Sequence, residues 1–195
     1  MRLICPIALA LLWLALPLQA LSKNDLTDTQ ANALQSLNQR SVIVLMRHAL
    51  APGTGDPARF DLQDCSSQRN LNERGRQQAR RTGQILRAQG IAFDQIWTSQ
   101  WCRCQDTATL LGLGPVTEVP AFNSFFADMS AEPLARQAML ERLATLPADQ
   151  RVLVITHYVN IRALTGIAPR SGELIVAKRL PDGGIEVMEP LLLAR

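Results

Sequence analysis

The 195-residue chain carries 20 Lys and Arg against 17 Asp and Glu, a formal charge of +3, with 47% hydrophobic and 19% charged residues. That length fits one domain, and the composition excludes a disordered chain, a coiled coil, a repeat array and a disulfide-dense miniprotein. The charge excess is too small to point to nucleic acid, so no nucleic-acid partner is expected.

In chain order, Arg2 is followed by an uncharged apolar run over residues 3–18 and then by Leu18-Gln19-Ala20. A basic start, an apolar centre and a small residue at the cut read as a secretory signal peptide, residues 1–20. The alternative is an uncleaved anchor, the one way this chain would touch a membrane. The run sits at the lower limit of the roughly 17–25 residues that span a bilayer, and it contains Pro6 and Pro17. In a Gram-negative host either reading places the remainder in the periplasm. Cleavage removes Arg2 and no acid, so the charge becomes +3 − 1 = +2. It also removes Cys5, leaving Cys65, Cys102 and Cys104. An oxidising compartment favours a bridge from Cys65 to Cys102 or Cys104, with three reduced thiols as the alternative. A Cys102–Cys104 bridge is too short to form without strain. No Cys-x-x-Cys is present, so no zinc site is expected.

Residues 21–40 read as a polar leader with a short helix punctuated by Leu34 and Leu37, ahead of a domain over 41–195. Residues 41–46 (SVIVLM) form an unbroken apolar, β-branched run, as in a strand buried on both faces of a parallel sheet. It ends at Arg47-His48. Residues 50–72, rich in Gly and Pro, are a long loop, and long loops in compact domains are usually functional. Asn72 caps a helix that carries Glu73 in its first turn, Ala79, Thr82, Ile85 and Leu86 on its apolar face, and Gly90 at its stop. Residues 93–97 are a second strand, and Ser99 is placed to cap a helix carrying Arg103, Ala108 and Leu111 that ends at Gly112 or Gly114. A short strand over 115–119 and a loop over 121–128 lead to a helix over 132–146, with Leu134, Ala138, Leu143 and Leu146 on one stripe. Residues 152–155 (VLVI) repeat the buried-strand pattern and run into Thr156-His157, and 175–189 form a hairpin around Pro181-Asp182-Gly183-Gly184. The alternation predicts an α/β three-layer sandwich, a mostly parallel central sheet flanked by helices.

Two buried strands therefore end in the same way, one at His48 and one at His157, the only two histidines in the chain. Ligand sites of open α/β sheets lie beyond the carboxyl ends of the strands. The strand over 93–97 leads to Arg103 at a helix start, where free N–H groups and the dipole suit an anion. Arg47 and Arg103 each offer a planar fork of donors that matches phosphate oxygens.

Met46-Arg47-His48-Ala49 resembles the Arg-His-Gly signature of the histidine phosphatase superfamily, with Ala49 in the glycine place. The segment from Arg69 to Ala79 (RNLNERGRQQA) is similar to that family's Arg-x-Leu-(Ser/Thr)-x-x-Gly-x-x-Gln-Ala element, with Asn72 in the Ser/Thr place. The segment from Ser99 to Ala108 is similar to its Ser-x-x-x-Arg-x-x-x-Thr-Ala element, and Thr156-His157 to its second-histidine motif. Order and spacing agree over about residues 42–165.

The resemblance implies a phosphatase (phosphoglycerate mutase-like) that hydrolyses a phosphomonoester through a phosphohistidine on His48, without metal or cofactor. Arg47, Arg103 and His157 would cradle the phosphoryl oxygens. The family usually supplies an acid for the leaving group. Position 158 is Tyr, so an acid directly after the second His is absent, and the candidates are Asp128, Glu132 and Glu118. Asp128, behind Phe125-Phe126, is the proton donor carried forward. With the export signal, the expected substrate is a phosphorylated small molecule or envelope glycan, such as a lipopolysaccharide-core sugar phosphate. The alternatives are a phosphohistidine phosphatase, a mutase and a non-catalytic module that binds a phosphorylated ligand.

Overall fold

The computed structural model describes residues 28–194, so the signal peptide expected over 1–20 lies outside the described residues. The helix expected before the domain is α1 (Asp28–Ser36), which leads through a turn into β1 (Val42–Arg47). Strand β1 is buried from Val42 to Met46 because a strand lies on each side of it and helices cover both faces. It pairs in parallel with β4 (Val152–Thr156), which is buried throughout, and antiparallel with β5 (Leu174–Arg179). The six-stranded sheet has the order β3-β2-β4-β1-β5-β6, with β2 at Gln95–Thr98, β3 at Thr117–Glu118 and β6 at Ile185–Leu191. Strands β3, β2, β4 and β1 are mutually parallel, and the antiparallel β5-β6 hairpin extends the sheet beyond β1.

Two apolar layers follow from the strand alternation. Val42, Val44 and Met46 point to one face, where they meet α1, α2 (Glu73–Ala88) and α3 (Cys102–Leu111) through Leu34, Leu86 and Leu111. Ile43 and Leu45 point to the other, where Val152 and Val154 pack with Met139 and Leu143 of α4 (Glu132–Ala144) and Ile161 of α5 (Tyr158–Thr165). This is the three-layer sandwich expected from the sequence.

The stripe expected on α4 is corrected. Leu134 is 74% exposed, and the fully buried positions are Met139 and Leu143. Leu143 and Leu146 are buried as expected, whereas at the start of the stripe Met139, one position after Ala138, takes the buried place, so only that first half is out of phase.

α2 explains most of the motif that runs from Arg69 to Ala79. The Asn72 side chain accepts from Gly75 N–H at 2.9 Å and so caps the helix. A Cβ at Gly75 would lie 2.0 Å from the Leu50 carbonyl oxygen, so only glycine lets α2 sit against the chain just past His48. Gln78 accepts from Leu50 N–H at 3.0 Å and donates to the Ser171 and Ala194 carbonyls at 2.9 and 3.0 Å. Ala79 closes a small core with Ala49, Ala51 and Leu71.

Candidate active site

Because β1 and β4 are adjacent and in register at Arg47 and Thr156, their next residues, His48 and His157, emerge side by side. The ring centroids are 5.7 Å apart. α3 begins beyond β2, the other neighbour of β4, and brings Arg103 to the same place. His48, His157 and Arg103 are 2–3% exposed, and with Arg47 they line a cavity of about 250 Å³. All four sequence-expected ligands are therefore together.

His48 is set by the backbone of the next residue. Its Nδ1 lies 2.8 Å from the Ala49 carbonyl, which can only accept, so Nδ1 carries the proton and Nε2 keeps its lone pair. Burial first, then the charge of Arg103, hold the His48 pKa well below its ordinary value, with Arg47 and Arg69 acting in the same direction. The ring is neutral at physiological pH. Ala49 is fully buried and not in the left-handed region, so a methyl group fits in the glycine place of the signature that Arg47-His48-Ala49 resembles. Its N–H is received by Thr107 Oγ1 at 3.0 Å, which gives the Thr of the second motif its work.

His157 is held from both sides. Arg103 Nη2 approaches Nδ1 at 3.4 Å, and a guanidinium only donates, so Nδ1 receives and Nε2–H faces the Ser99 hydroxyl at 2.8 Å. Ser99 in turn donates to Asn123 Oδ1 at 3.2 Å. Burial, Arg103 and His48 all push the His157 pKa well down. Ser99 thus corrects the sequence reading: the N-cap position is Trp101, without a side-chain cap bond, and the Ser99 side chain serves His157.

The arginines differ in their freedom. Arg47 donates to the Pro169 carbonyl at 2.9 Å and stacks over Tyr158 at 5.4 Å. Arg103 donates through both Nη atoms to Asp56, at 2.7 and 3.1 Å. The Nε groups of Arg47 and Arg103 are buried without a hydrogen-bond partner. Arg69, which the sequence reading did not place in the site, also lines the cavity and braces its loop by donating to Gly55 and Ala51 carbonyls at 2.7 and 2.5 Å. Its position at the head of the second motif was the available signal. Asp56 was missed as well, since a Gly- and Pro-flanked acid has no periodic pattern to mark it.

Asp128 lies elsewhere. It is not among the cavity-lining residues and caps a 3-10 turn, accepting from Ser130 N–H at 3.0 Å. Glu132 opens α4, and Glu118 is exposed on β3, where it accepts from Gln105 at 3.1 Å. Among the described residues no group of three or more His, Cys, Asp and Glu converges as a metal site.

The bridge joins Cys65 to Cys102, and Cys104 is free and buried. It ties the loop that follows β1 to the residue before Arg103. Phe60 stacks on Trp101 at 5.1 Å alongside it, and Trp101 meets the His157 ring edge-on at 5.2 Å.

Known proteins resemble this chain in part of its sequence and in its fold. The model of the histidine phosphatase superfamily (branch 1) matches residues 43–125. The mitochondrial serine/threonine-protein phosphatase Pgam5 of Drosophila virilis is 36% identical over 89 residues, 46% of this chain and 30% of that protein. The chain thus matches less than a third of the length of that relative. Among solved structures, the protein histidine phosphatase SixA bound to tungstate superposes with a TM-score of 0.55 at 17% identity, over 77% of this chain and 96% of that one. A putative α-ribazole-5'-P phosphatase from Escherichia coli superposes with a TM-score of 0.59 at 16% identity, over 80% and 97%. The family model thus covers the stretch from β1 to the residues after α3, and the solved structures share the fold built around it.

Proposed function

We propose that the protein is a phosphatase that hydrolyses a phosphomonoester through a phosphohistidine on His48. The observation that carries this reading is the His48 ring itself, neutral, with Nδ1–H committed to the Ala49 carbonyl and Nε2 free in a cavity ringed by guanidinium groups. A lone pair held in place beside fixed positive charge is what in-line attack on phosphorus requires. Arg47 and Arg103 hold buried, unpartnered Nε–H groups that suit phosphoryl oxygens, and Arg69 adds a third charge. If the Ser99 hydroxyl turns from Asn123 to donate to His157 Nε2, exchange with solvent takes the proton off Nε2 and puts one on Nδ1, which can donate to the phosphoryl group once Arg103 Nη2 has turned from Nδ1 to that group. Phosphoryl transfer depends mainly on such positioning and charge.

The compartment reading is the periplasm of a Gram-negative host, with residues 1–20 as the export signal. The Cys65–Cys102 disulfide supports it, because such bridges persist in oxidising compartments. An envelope sugar phosphate, such as one on a lipopolysaccharide core, is the substrate that fits both compartment and site. A second reading, hydrolysis of phosphohistidine in a protein, draws on the shared fold with SixA.

The test uses the purified protein with p-nitrophenyl phosphate. His48→Ala is expected to abolish turnover, and radiolabelled substrate is expected to leave an acid-labile, base-stable adduct on the wild type only. Phosphate binding without turnover by the wild type would overturn the phosphatase reading in favour of a binding module. A panel of sugar phosphates, phospho-oligosaccharides and a phosphohistidine peptide then separates the two substrates by kcat/KM.

A further inference from the structure

An ester whose leaving oxygen belongs to an alkyl group or a sugar needs a proton as the bond breaks. One carboxylate lines the cavity, that of Asp56. Its oxygens receive four N–H donors: Arg103 Nη1 at 2.7 Å, Arg103 Nη2 at 3.1 Å, Trp101 Nε1 at 3.0 Å and the Arg69 backbone N–H at 3.2 Å. A two-pronged guanidinium with two further N–H groups is a donor set for an oxyanion, and here a side chain of the protein occupies it.

We infer that Asp56 is the proton donor to the leaving oxygen, and that the phosphoryl group of the substrate arms it by taking the Arg103 fork away from its carboxylate. This rests on the phosphatase reading above. In the free protein burial pushes the Asp56 carboxyl up, but the Arg103 hydrogen bonds and charge, with Trp101 and Arg69, outweigh burial and hold it below the ordinary range. Paired in that way it has no proton to give. A phosphoryl dianion competes for the same fork, and Arg103 cannot serve both fully. The displaced carboxylate loses its cation and gains a negative neighbour, and both changes favour its protonated form.

The exchange requires little movement. Arg69 pins the carbonyls of Ala51 and Gly55 on either side of a turn that needs glycine at Gly53 and Gly55, with φ of +90° and +69°. The backbone can stay and the Asp56 side chain rotate. The proton arrives on the substrate monoanion, which becomes the dianion as the Asp56 carboxylate takes it. His48 Nε2 then bonds to phosphorus, the phosphorus–oxygen ester bond breaks, and its electron pair stays on the leaving oxygen, which takes the Asp56 proton. In the second half the Asp56 carboxylate accepts a proton from the water whose oxygen bonds to phosphorus. The phosphorus–nitrogen bond breaks, its pair returns to Nε2, and Asp56 is again an acid.

The test compares two esters on the full chain with its disulfide intact. p-Nitrophenyl phosphate expels a stable anion, whereas glycerol phosphate expels an alkoxide. Asp56→Asn is expected to lower kcat/KM for glycerol phosphate about 100-fold more than for p-nitrophenyl phosphate, with partial recovery of the glycerol ester in Asp56→Glu. An equal loss on both esters would make Asp56 a prop for Arg103 and overturn the inference. An equal gain on both would make it only a competitor for phosphate and would overturn the inference too. A wild type that turns over neither ester defeats the phosphatase reading itself, a result that does not involve the variants. A second measurement needs no Asp56 variant. Inorganic phosphate is expected to change the indole emission of the wild type, since Trp101 loses its carboxylate partner, and this change is expected to vanish in Trp101→Phe. Phosphate that binds without that change overturns the exchange.

Discussion

His48 and His157 stand within a few ångströms of each other among guanidinium groups, and both are buried and neutral. Their charge state couples to stability in a definite direction. In the unfolded chain each titrates near its ordinary value of 6.5, whereas in the fold each stays unprotonated well below it. Below pH 6.5 the unfolded state therefore binds more protons, so stability falls as pH falls and is flat above that window. At pH 5.5 the two rings together are expected to cost about 3 kcal/mol relative to pH 7.5. Urea denaturation at both pH values measures this, and His48→Ala is expected to show about half the loss. An equal loss in variant and wild type would mean that His48 is charged in the fold. At this scale the sequence disclosed the residues that strand ends mark, Arg47, His48 and His157, and the one at a helix start, Arg103. Asp56, Arg69 and Ser99 were not disclosed as site residues, because their roles come from partners 47, 18 and 58 positions away in the chain.

Elements hold those residues in place through close backbone approach. α2 lies against Leu50, two residues after His48, and α2 meets α3 where a Cβ at Gly83 would lie 1.9 Å from the Leu111 carbonyl oxygen. Gly75→Ala forces α2 off the segment that carries Ala49 and Leu50. We expect a loss of about 2–3 kcal/mol, since a backbone carbonyl cannot step aside as a side chain can. The same shift moves the Ala49 carbonyl that fixes the His48 tautomer, so kcat is expected to fall in the protein that remains folded. Denaturant titration and turnover of p-nitrophenyl phosphate check both halves. An alanine variant as stable and active as wild type would show that the contact is not needed. The strands and α2 were legible because burial on both faces and a capped apolar stripe leave clear patterns. The start of the α4 stripe was not, because the exposed Leu134 gives the same apolar signal as the buried Met139. α5 escaped notice because it starts directly after His157, with no side-chain cap bond to announce it.

At the scale of the molecule, the sheet order places β4 between β1 and β2, so three loops meet at one end. That arrangement leaves the long loop after β1 anchored by Arg69, by Asp56 and by the Cys65–Cys102 bridge. The bridge spans 37 positions and joins this loop to the residue next to Arg103, so it constrains the unfolded chain and the site together. Cys104, the one remaining thiol among the described residues, is buried and pushed up to about 12, which leaves little thiolate to attack the bridge and scramble it. Reduction, or the pair Cys65→Ser with Cys102→Ser, is expected to lower stability by about 2–4 kcal/mol. Thermal denaturation with and without reductant measures that loss. The chain-entropy account predicts the same loss for the serine pair as for reduction, since both free the loop. Activity measured well below the melting temperature separates the two effects of the bridge. If it also holds the start of α3, KM for p-nitrophenyl phosphate rises in the folded serine variant as Arg103 loses its fixed position. If KM is unchanged, the ion pair with Asp56 and the stack of Phe60 on Trp101 suffice to hold α3, and the bridge acts on stability alone.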